Sequence, residues 1–429
     1  MQLANVIERV LPASARPVVS GLAAYGAAEI GTRVLRILAI VVIARQIAPA
    51  EIGVAALAIS LFEIVRVLAN SGIGQRIIAA ADDELDSVCN AARLLFTLWC
   101  AGVAAVQLLV ACMLWLVFAK QDVAAMLAVL SVVYFVMPPG LVQVFLLMRD
   151  GRLGATARIA ATQTAADHLL SLMLALIWPS AWALVLPRLL TAPIWLVLVR
   201  RARTWNRAEG VAPAPARSFF RFGAGVLVTE LTTAGRQQFD KLIVGALLGT
   251  EALGYYFFAF NAGLGIANSF VGALAIVLFP HFCKTKDEAD RATRLKHALV
   301  LALGVFGPIV IAQILLAPVY VPLLFGEQWA PMAPLVSILC LAALPMIVAS
   351  VTTAWLRATN RAERDAVIAG VGSAAALAGL AVGCLSGLEA AAWSYVGALW
   401  LVLLPATGLV IAHGLRAQRK PSFPKEYFA

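Results

Sequence analysis

The stretch IAPAEIGVAALA, residues Ile47–Ala58, recurs in altered form as LGTEALGYYFFA, residues Leu248–Ala259. An offset of 201 residues aligns the two stretches and places Gly53 on Gly254. Each stretch begins at a short break between apolar segments and continues as an apolar run. The chain is therefore predicted to contain two related halves built from apolar helices.

Further matches extend this repeat. The same offset carries Arg93 onto Arg294, and later the register drifts by about eight residues, where RDGR at 149–152 faces RATNR at 357–361. Chance similarity between two Ala- and Leu-rich halves is the alternative explanation. Matched positions fall on the same side of the membrane in the topology derived below, which indicates a parallel repeat. Two such bundles could open a shared cavity to either side in turn, as secondary transporters do. The sequence has no GxxxxGK[ST] motif to bind ATP.

The composition places the chain in a membrane. Of 429 residues, 62% are hydrophobic and 13% charged, whereas soluble domains have roughly 45–50% and about 25%. This excludes a secreted disulfide scaffold, a disordered chain and a soluble enzyme with one anchor. The six cysteines form no CxxC pair and there are only four histidines, so no metal site is predicted.

Apolar segments of spanning length predict twelve transmembrane helices, over residues 18–44, 52–75, 94–118, 123–147, 156–178, 181–199, 222–248, 252–279, 298–324, 332–356, 366–386 and 390–413.

The basic residues predict the orientation of these helices. Of 33 Lys and Arg residues, 25 fall on one side of the predicted spans (including Arg158, at the very start of span five), two (Arg45 and Lys120) on the other, and six deeper within spans. Cytoplasmic segments of membrane proteins are enriched in Lys and Arg, so both termini are predicted to be cytoplasmic. The net charge of +10 has the same explanation, and no basic run with interleaved aromatics indicates nucleic-acid binding.

The spans also predict the domain organisation. Residues 1–17 are predicted to be a cytoplasmic amphipathic segment, residues 18–199 an N-terminal lobe of six helices, and residues 222–413 a C-terminal lobe of six. Residues 200–221 form a basic, Pro/Ala-rich cytoplasmic linker, and residues 414–429 a cytoplasmic tail. The predicted fold class is an all-α polytopic membrane protein with two six-helix bundles related by a parallel internal repeat.

Charged residues inside the spans are the candidate functional residues. A basic residue at the bilayer centre costs about 2.5–3.5 kcal/mol, so such residues should face protein or water. The six basic residues within spans are Arg33, Arg36, Arg66, Arg188, Arg236 and Lys241. Residues three, four or seven apart share a helix face. This spacing groups Glu29 with Arg33 and Arg36, Glu63 with Arg66, and Arg236 with Asp240, and it links Glu230 to Lys241 through Thr233 and Gln237. Asp167 and His168 lie in span five, with Arg158 near its cytoplasmic end.

Two explanations of these charges remain open at this stage. Any single pair, such as Arg236 and Asp240, could be a buried ion pair that joins helices. The whole set, however, concentrates on spans one, two and seven, as the wall of a water-filled cavity would. Arginine forms bidentate bonds to phosphate and keeps its charge. A basic cavity of this kind predicts an anionic substrate that carries phosphate groups.

Other features of the spans have predicted structural roles. Pro138-Pro139 should kink span four. Arg188 follows Pro187 and is equally consistent with lining a cavity or packing against a kink. The aromatic run at 255–258 is interpreted as packing rather than as a platform for sugars.

Four stretches of the sequence resemble those of a known family. RQQFDKLIVGALLGTEALGYYFFA, residues Arg236–Ala259, resembles the R-x3-D-x4-G-x3-G-x4-G-x-Y segment of the Wzx-type polysaccharide flippases. These belong to the multidrug/oligosaccharidyl-lipid/polysaccharide exporter superfamily. VVIARQIAPAEIGVAALA at 41–58 is similar to the family's first interhelical turn, although the usual LGP is Ile47-Ala48-Pro49 here. LLMRDGRLGATARIA at 146–160 and AWALVLPRLL at 181–190 are also similar to its exopolysaccharide branch.

The resemblance implies a V-shaped exporter of twelve helices in the bacterial inner membrane. It would move an undecaprenyl-diphosphate-linked oligosaccharide from the cytoplasmic to the periplasmic leaflet for exopolysaccharide or O-antigen synthesis. No cofactor is implied, and a proton or sodium gradient is the expected energy source. The candidate partners are membrane lipids, a polysaccharide polymerase and glycosyltransferases. The substrate-binding candidates are Arg33, Arg36, Arg66, Arg236, Lys241 and Arg158, and the ion-coupling candidates are Glu29, Glu63, Asp167, Glu230 and Asp240.

Three alternatives are compared with this prediction. A lipid II flippase shares the fold, but that family usually has further helices after the twelfth. A cation-coupled drug antiporter is also related, but its cavity should be acidic or aromatic. A membrane glycosyltransferase or polymerase would need an extramembrane catalytic surface, which the short external loops do not provide. The protein is accordingly predicted not to be an enzyme.

Overall fold

The computed structural model describes residues 16–69, 72–283 and 288–416, and these residues contain helices but no β-strand. The predicted segment 1–17 and tail 414–429 therefore fall largely outside the described residues. The helices are α1 Arg16–Gln46, α2 Pro49–Val67, α3 Ile73–Ile78, α4 Leu85–Leu116, α5 Gln121–Leu130, α6 Val133–Val136, α7 Pro138–Arg149, α8 Leu153–Ile177, α9 Trp182–Ala202, α10 Arg217–Leu247, α11 Gly249–Ala262, α12 Leu264–Cys283, α13 Glu288–Phe325, the 3-10 helix Glu327–Met332, α14 Ala333–Leu341, α15 Ala343–Ala358, α16 Ala362–Cys384 and α17 Leu388–Arg416.

Every predicted span falls on one helix or on a run of short helices. By length and composition alone, seven helices of the described residues could cross a membrane, or eight if one bent pair is a single span. That count is lower than the twelve spans predicted from the sequence. The helices outside it include α2, which carries Glu63 and Arg66, and α10, which carries Asp240 and Lys241. The charges that make these helices functional candidates also make them less apolar.

The predicted kink in span four is confirmed. The segments Gln121–Val136 and Pro138–Arg149 meet at an angle of 56°. Proline has no backbone N–H to donate and its ring clashes with the preceding turn, so a helix bends or ends there. The prolines thus separate α6 from α7, and span four also has an earlier break between α5 and α6.

The repeat predicted from the sequence has a local structural counterpart. After α7, Gly151 adopts a φ of 70° and the Arg152 N–H donates to the Leu147 carbonyl at 2.9 Å. After α15, Asn360 adopts a φ of 56° and the Arg361 N–H donates to the Leu356 carbonyl at 2.9 Å. A left-handed residue with this six-to-one bond is a standard helix ending, and Gly and Asn are the residues that tolerate it. RDGR and RATNR therefore end their helices in the same way.

The segment between α9 and α10 packs onto the start of α4. Asn90 donates through Nδ2 to the carbonyls of Ala208 and Val211 at 3.0 and 3.1 Å, and the Ala208 N–H donates back to Asn90 Oδ1 at 3.2 Å. The Ser87 hydroxyl donates to the Ala212 carbonyl at 2.8 Å. Residues 203–216 are thus attached to the N-terminal half by side-chain bonds to their backbone.

The chain divides into two compact units, Met1–Gln238 and Phe239–Ala429, and the division falls inside α10. In the first unit, α8 packs against α1 and α9, while α9 also contacts α2 and α5. In the second unit, α17 packs against α16 and α15, and α12 packs against α15. The outer faces of several helices expose large apolar side chains, among them Leu109, Leu301 and Leu401.

Candidate functional site

Three helices of the first unit bring four charged side chains together. On α2, Arg66 donates to Glu63 Oε2 from Nη2 at 2.7 Å and from Nε at 3.0 Å. On α9, Arg188 lies between Glu63 and Asp167, with N–O distances of 3.7 Å to each carboxylate. Asp167 is contributed by α8. The order Arg66, Glu63, Arg188, Asp167 forms a continuous row of alternating charge, which we call the charged row.

Arg188 is held less tightly than Arg66. Charge-assisted hydrogen bonds are about 2.7–2.9 Å long, so its 3.7 Å contacts are ion pairs without close hydrogen bonds. Its Nη1 donates instead to the Leu184 carbonyl at 3.3 Å. Asp167 Oδ1 is buried and accepts no hydrogen bond from the described residues. The row therefore contains a shared guanidinium and a carboxylate oxygen with unused capacity.

Helix α1, which packs against α8, carries two further basic residues. Arg33 and Arg36 are half-buried on α1, which packs along α8. Arg36 lies within electrostatic range of His168, the residue after Asp167. Glu29 belongs to α1, but its side chain lies outside the described part of the structure. The face of α8 that carries Asp167 and His168 is consequently close to cationic groups from α1 and α9.

The second unit contains a separate buried pair. Lys241 Nζ donates to Asp240 Oδ1 at 3.0 Å, and the two side chains are 9% and 5% exposed. The Tyr256 hydroxyl donates to Asp240 Oδ2 at 3.1 Å, and Lys241 Nζ lies 4.8 Å from the centre of the Phe260 ring. Both charges thus have partners inside the protein. This arrangement is that of a structural ion pair packed against α11.

Among the described residues, Arg236, Glu230 and Arg158 form no ion pair with the charged row or with the Asp240–Lys241 pair. Arg236 is exposed, and Asp240 accepts its described hydrogen bonds from Lys241 and Tyr256 rather than from Arg236. Glu230 is half-buried on α10, and Arg158 is exposed near the start of α8. Among the described residues, no group of three or more His, Cys, Asp or Glu side chains could hold a metal ion.

Two features had alternative interpretations from the sequence, the aromatic run at 255–258 and Arg188. The ring of Phe258 stacks 3.9 Å from that of Trp329, and Tyr256 is fully buried, so the aromatic run packs the core of the second unit. Arg188 was not among the predicted substrate-binding residues, because the sequence left it equally consistent with lining a cavity or packing against a kink. Its partners come from two other helices. The only signal in the sequence was a basic residue within an apolar span.

Comparison with known proteins shows the family to which the chain belongs. The family described as Polysaccharide biosynthesis protein matches residues 42–334. WzxC of Escherichia coli strain K12, a lipopolysaccharide biosynthesis protein, is 23% identical over 57% of this chain and 50% of its own length. ExoT of Rhizobium meliloti strain 1021, a succinoglycan biosynthesis transport protein, is 23% identical over 72% of this chain and 63% of its own. The chain thus spans half to about two thirds of the length of these relatives.

Two solved membrane transporters have a fold similar to that of this chain. The lipid II flippase MurJ in an inward closed conformation superposes with a TM-score of 0.70 and 11% identity, over 92% of this chain and 89% of that one. A multidrug transporter of the MATE family in an inward-facing conformation gives 0.64 and 14%, over 90% and 96%. The protein is therefore a multi-pass, all-α membrane protein with the fold of the superfamily that includes MATE transporters. The chain belongs to the polysaccharide biosynthesis protein family, as its sequence resemblance predicted.

Proposed function

We propose that the protein is a flippase. It moves an undecaprenyl-diphosphate-linked oligosaccharide from the cytoplasmic to the periplasmic leaflet of a bacterial inner membrane, by alternating access. Family membership supports a role in polysaccharide synthesis, and the name of ExoT supports transport. The single observation that carries the proposal is the charged row, because apolar helices keep such groups only where they have protein or ligand partners.

In the charged row, the diphosphate binds to the two guanidinium groups. Arg66 is 46% exposed although it is paired with Glu63, so its free edge can accept a further anion. Arg188 is shared between two carboxylates at 3.7 Å, and a phosphate at hydrogen-bond distance would compete with both. Arg33, Arg36, Arg158, Arg236 and Lys241 stay predictions as further phosphate or glycan contacts.

The test is polymer export in a bacterial host that lacks its own polysaccharide flippase. We expect Arg66→Ala and Arg188→Ala to reduce surface polymer at least tenfold, since each removes a charge-assisted phosphate contact. The matched control is Arg93→Ala, because Arg93 is exposed at the start of α4 with no described ion pair. Immunoblotting of membranes shows that each variant is present. Full export by both row variants would overturn the assignment of the substrate site.

Three further assays separate the alternatives. A lipid II flippase would restore growth of cells depleted of their own, and a drug antiporter would raise resistance to cationic drugs. A polymerase would form polymer as purified protein with lipid-linked substrate. The proposed flippase does none of these. Its partners are glycosyltransferases, which act before it, and a polysaccharide polymerase, which acts after it.

Coupling to an ion gradient is proposed at Asp167, with Glu63 as its neighbour in the row. Protonation of Asp167 would remove one of the two carboxylates that hold Arg188 and leave this guanidinium free for phosphate. Asp167→Asn imitates the protonated state. In proteoliposomes with lipid-linked oligosaccharide, we expect this variant to lose the dependence of transport on a proton gradient, while Asp86→Asn keeps it. If a sodium gradient alone drives the wild type, or if Asp167→Asn keeps its gradient dependence, this coupling site is wrong. Glu29, Glu230 and Asp240 stay predictions.

A further inference from the structure

A cavity of about 240 Å³ lies in the second unit, and none of its lining residues belongs to the charged row. It is bounded by the end of α15, the turn into α16 and the last turns of α17. Its lining residues are Trp355, Leu356, Arg361, Arg364, Leu409, Val410 and His413. In the predicted topology this end of the unit faces the cytoplasm.

The turn that ends α15 fixes the two arginines at the cavity. The left-handed Asn360 reverses the chain, and the Arg361 N–H is bound to the Leu356 carbonyl. Arg361 precedes the first residue of α16, and Arg364 follows three positions later, so both lie at the start of that helix. The backbone positions of both arginines are therefore set by a helix ending rather than by a free loop.

The acidic residue nearest to this turn is already engaged. Asp365 is buried, and it accepts from Arg357 Nε at 2.8 Å and from the Thr353 hydroxyl at 2.6 Å. Arg361 and Arg364 form no ion pair with the residues that the structure describes. Glu363 lies between them in sequence and is exposed. The cavity thus keeps a net positive charge that no carboxylate in its lining neutralises.

Trp355 supplies an independent indication of a ligand. It is 5% exposed, and its indole Nε1 has no hydrogen-bond partner among the described residues. The ring edge next to this nitrogen faces the last turns of α17, because a Cβ added to Gly414 would lie 3.4 Å from Trp355 Cε2. Buried donors are normally paired. Trp355, Arg361, Arg364 and His413 line the same cavity, so a phosphate bound there could supply the acceptor that this N–H lacks.

The remaining wall of the cavity is apolar and reaches the surface. Leu409 on α17 is 75% exposed, and Leu356 and Val410 complete that side. Residues 409–413 belong to a candidate membrane span, Leu388–Leu415. Cationic groups beside an exposed apolar side chain at the end of a spanning helix match the headgroup and first acyl carbons of a lipid.

We propose that this cavity binds the phosphate headgroup of an anionic membrane phospholipid. Arg361 and Arg364 pair with the phosphate, the Trp355 N–H donates to one of its oxygens, and an acyl chain lies along Leu409. The site is separate from the charged row and does not depend on which substrate is transported.

The experiment measures lipid binding by the purified full chain in detergent, as the shift in melting temperature on titration with phosphatidylglycerol. The wild type should be stabilised by phosphatidylglycerol, and neither phosphatidylcholine nor inorganic phosphate should replace it. Arg361→Gln/Arg364→Gln should raise the apparent Kd at least tenfold. Arg200→Gln/Arg201→Gln, which removes two exposed arginines at the end of α9, should bind as the wild type does.

A second variant guards against loss of folding in the arginine pair. Trp355→Phe keeps an aromatic ring and removes only the N–H, so it should weaken phosphatidylglycerol binding roughly threefold or more with little change in unliganded melting temperature. Equal binding of both lipids, or full competition by inorganic phosphate, would overturn the lipid assignment. Unchanged affinity in Arg361→Gln/Arg364→Gln and in Trp355→Phe would overturn the site.

Discussion

Charged side chains within the helices differ in how completely their partners satisfy them. Asp240 and Lys241 hold each other inside the second unit, with Tyr256 as a further donor to the carboxylate. Arg188 has two partners at longer distance, and Asp167 has a buried oxygen without a donor. Ligand-binding groups must exchange one partner for another. Arg188 and Asp167 still have hydrogen-bonding capacity for a ligand, whereas Asp240 and Lys241 already satisfy each other.

Glu84 is a charged residue at the predicted cytoplasmic surface, immediately before α4. Arg76 donates to both carboxylate oxygens of Glu84 at 2.9 Å, and the Ala81 N–H donates to Glu84 Oε1 at 2.9 Å. These hydrogen bonds, led by that from Arg76, lower the pKa of Glu84 from 4.5 to about 2. A carboxyl with a lowered folded-state pKa stabilises the fold above its unfolded pKa, and this contribution is lost as the pH falls towards the folded value.

Replacing Glu84 should consequently have a pH-dependent effect on stability. We expect Glu84→Gln to melt below the wild type at pH 7, and this difference to shrink as the pH falls from 4.5 towards 2. Melting of the purified protein at pH 7, 5, 4 and 3 measures it. Glu209→Gln, at an exposed acid of the segment between α9 and α10, serves as the control. A difference of the same size at every pH would contradict the prediction.

At the scale of elements, apolar periodicity predicted the helices and Pro138 predicted a break, because both are local properties of the sequence. The site was less predictable, since its geometry depends on contacts between helices. Lys241 was grouped with Glu230 on one helix face, yet it pairs with the adjacent Asp240. Adjacent helical residues do not normally face each other. Tyr256 and Phe260 of α11 enclose both side chains and bring them together.

The contact between α16 and α17 depends on small residues. A Cβ added to Gly383 would lie 2.6 Å from the Ala390 carbonyl oxygen and 2.6 Å from the Ala391 Cα, both of them backbone atoms. Membrane helices associate through such close approaches of small residues. Gly370, on the same helix, has no atom within 4 Å of an added Cβ.

These two glycines form a matched pair for mutagenesis. We expect Gly383→Ala to lower the free energy of unfolding by about 1–3 kcal/mol, because the backbone of α17 has to move. Gly370→Ala should leave stability unchanged or raise it, since alanine favours a helix. Melting temperatures of the two purified variants measure the difference. Equal melting temperatures would show that α16 and α17 are not packed as closely as the structure has them.

At the scale of the whole molecule, the basic residues predict which helix ends face the cytoplasm. The geometry of α4 makes this testable within one unit. With 32 residues, α4 is about 48 Å long, enough to cross a hydrocarbon core of about 30 Å. Its start is bonded through Asn90 to the segment that carries Arg207, and its end leads directly to Lys120. Positions 207 and 120 therefore lie at opposite ends of one long helix.

Labelling of single cysteines in intact cells tests the predicted orientation. In a background where the exposed Cys112 and Cys283 are replaced by serine, Lys120→Cys should react with a membrane-impermeant maleimide. Arg207→Cys should react only after the cells are permeabilised, because the excess of Lys and Arg on its side of the spans marks the cytoplasm. The background protein without either added cysteine measures labelling of the four buried cysteines. Labelling of position 207 but not 120 in intact cells would reverse the orientation, and with it the side from which the charged row receives a lipid-linked substrate.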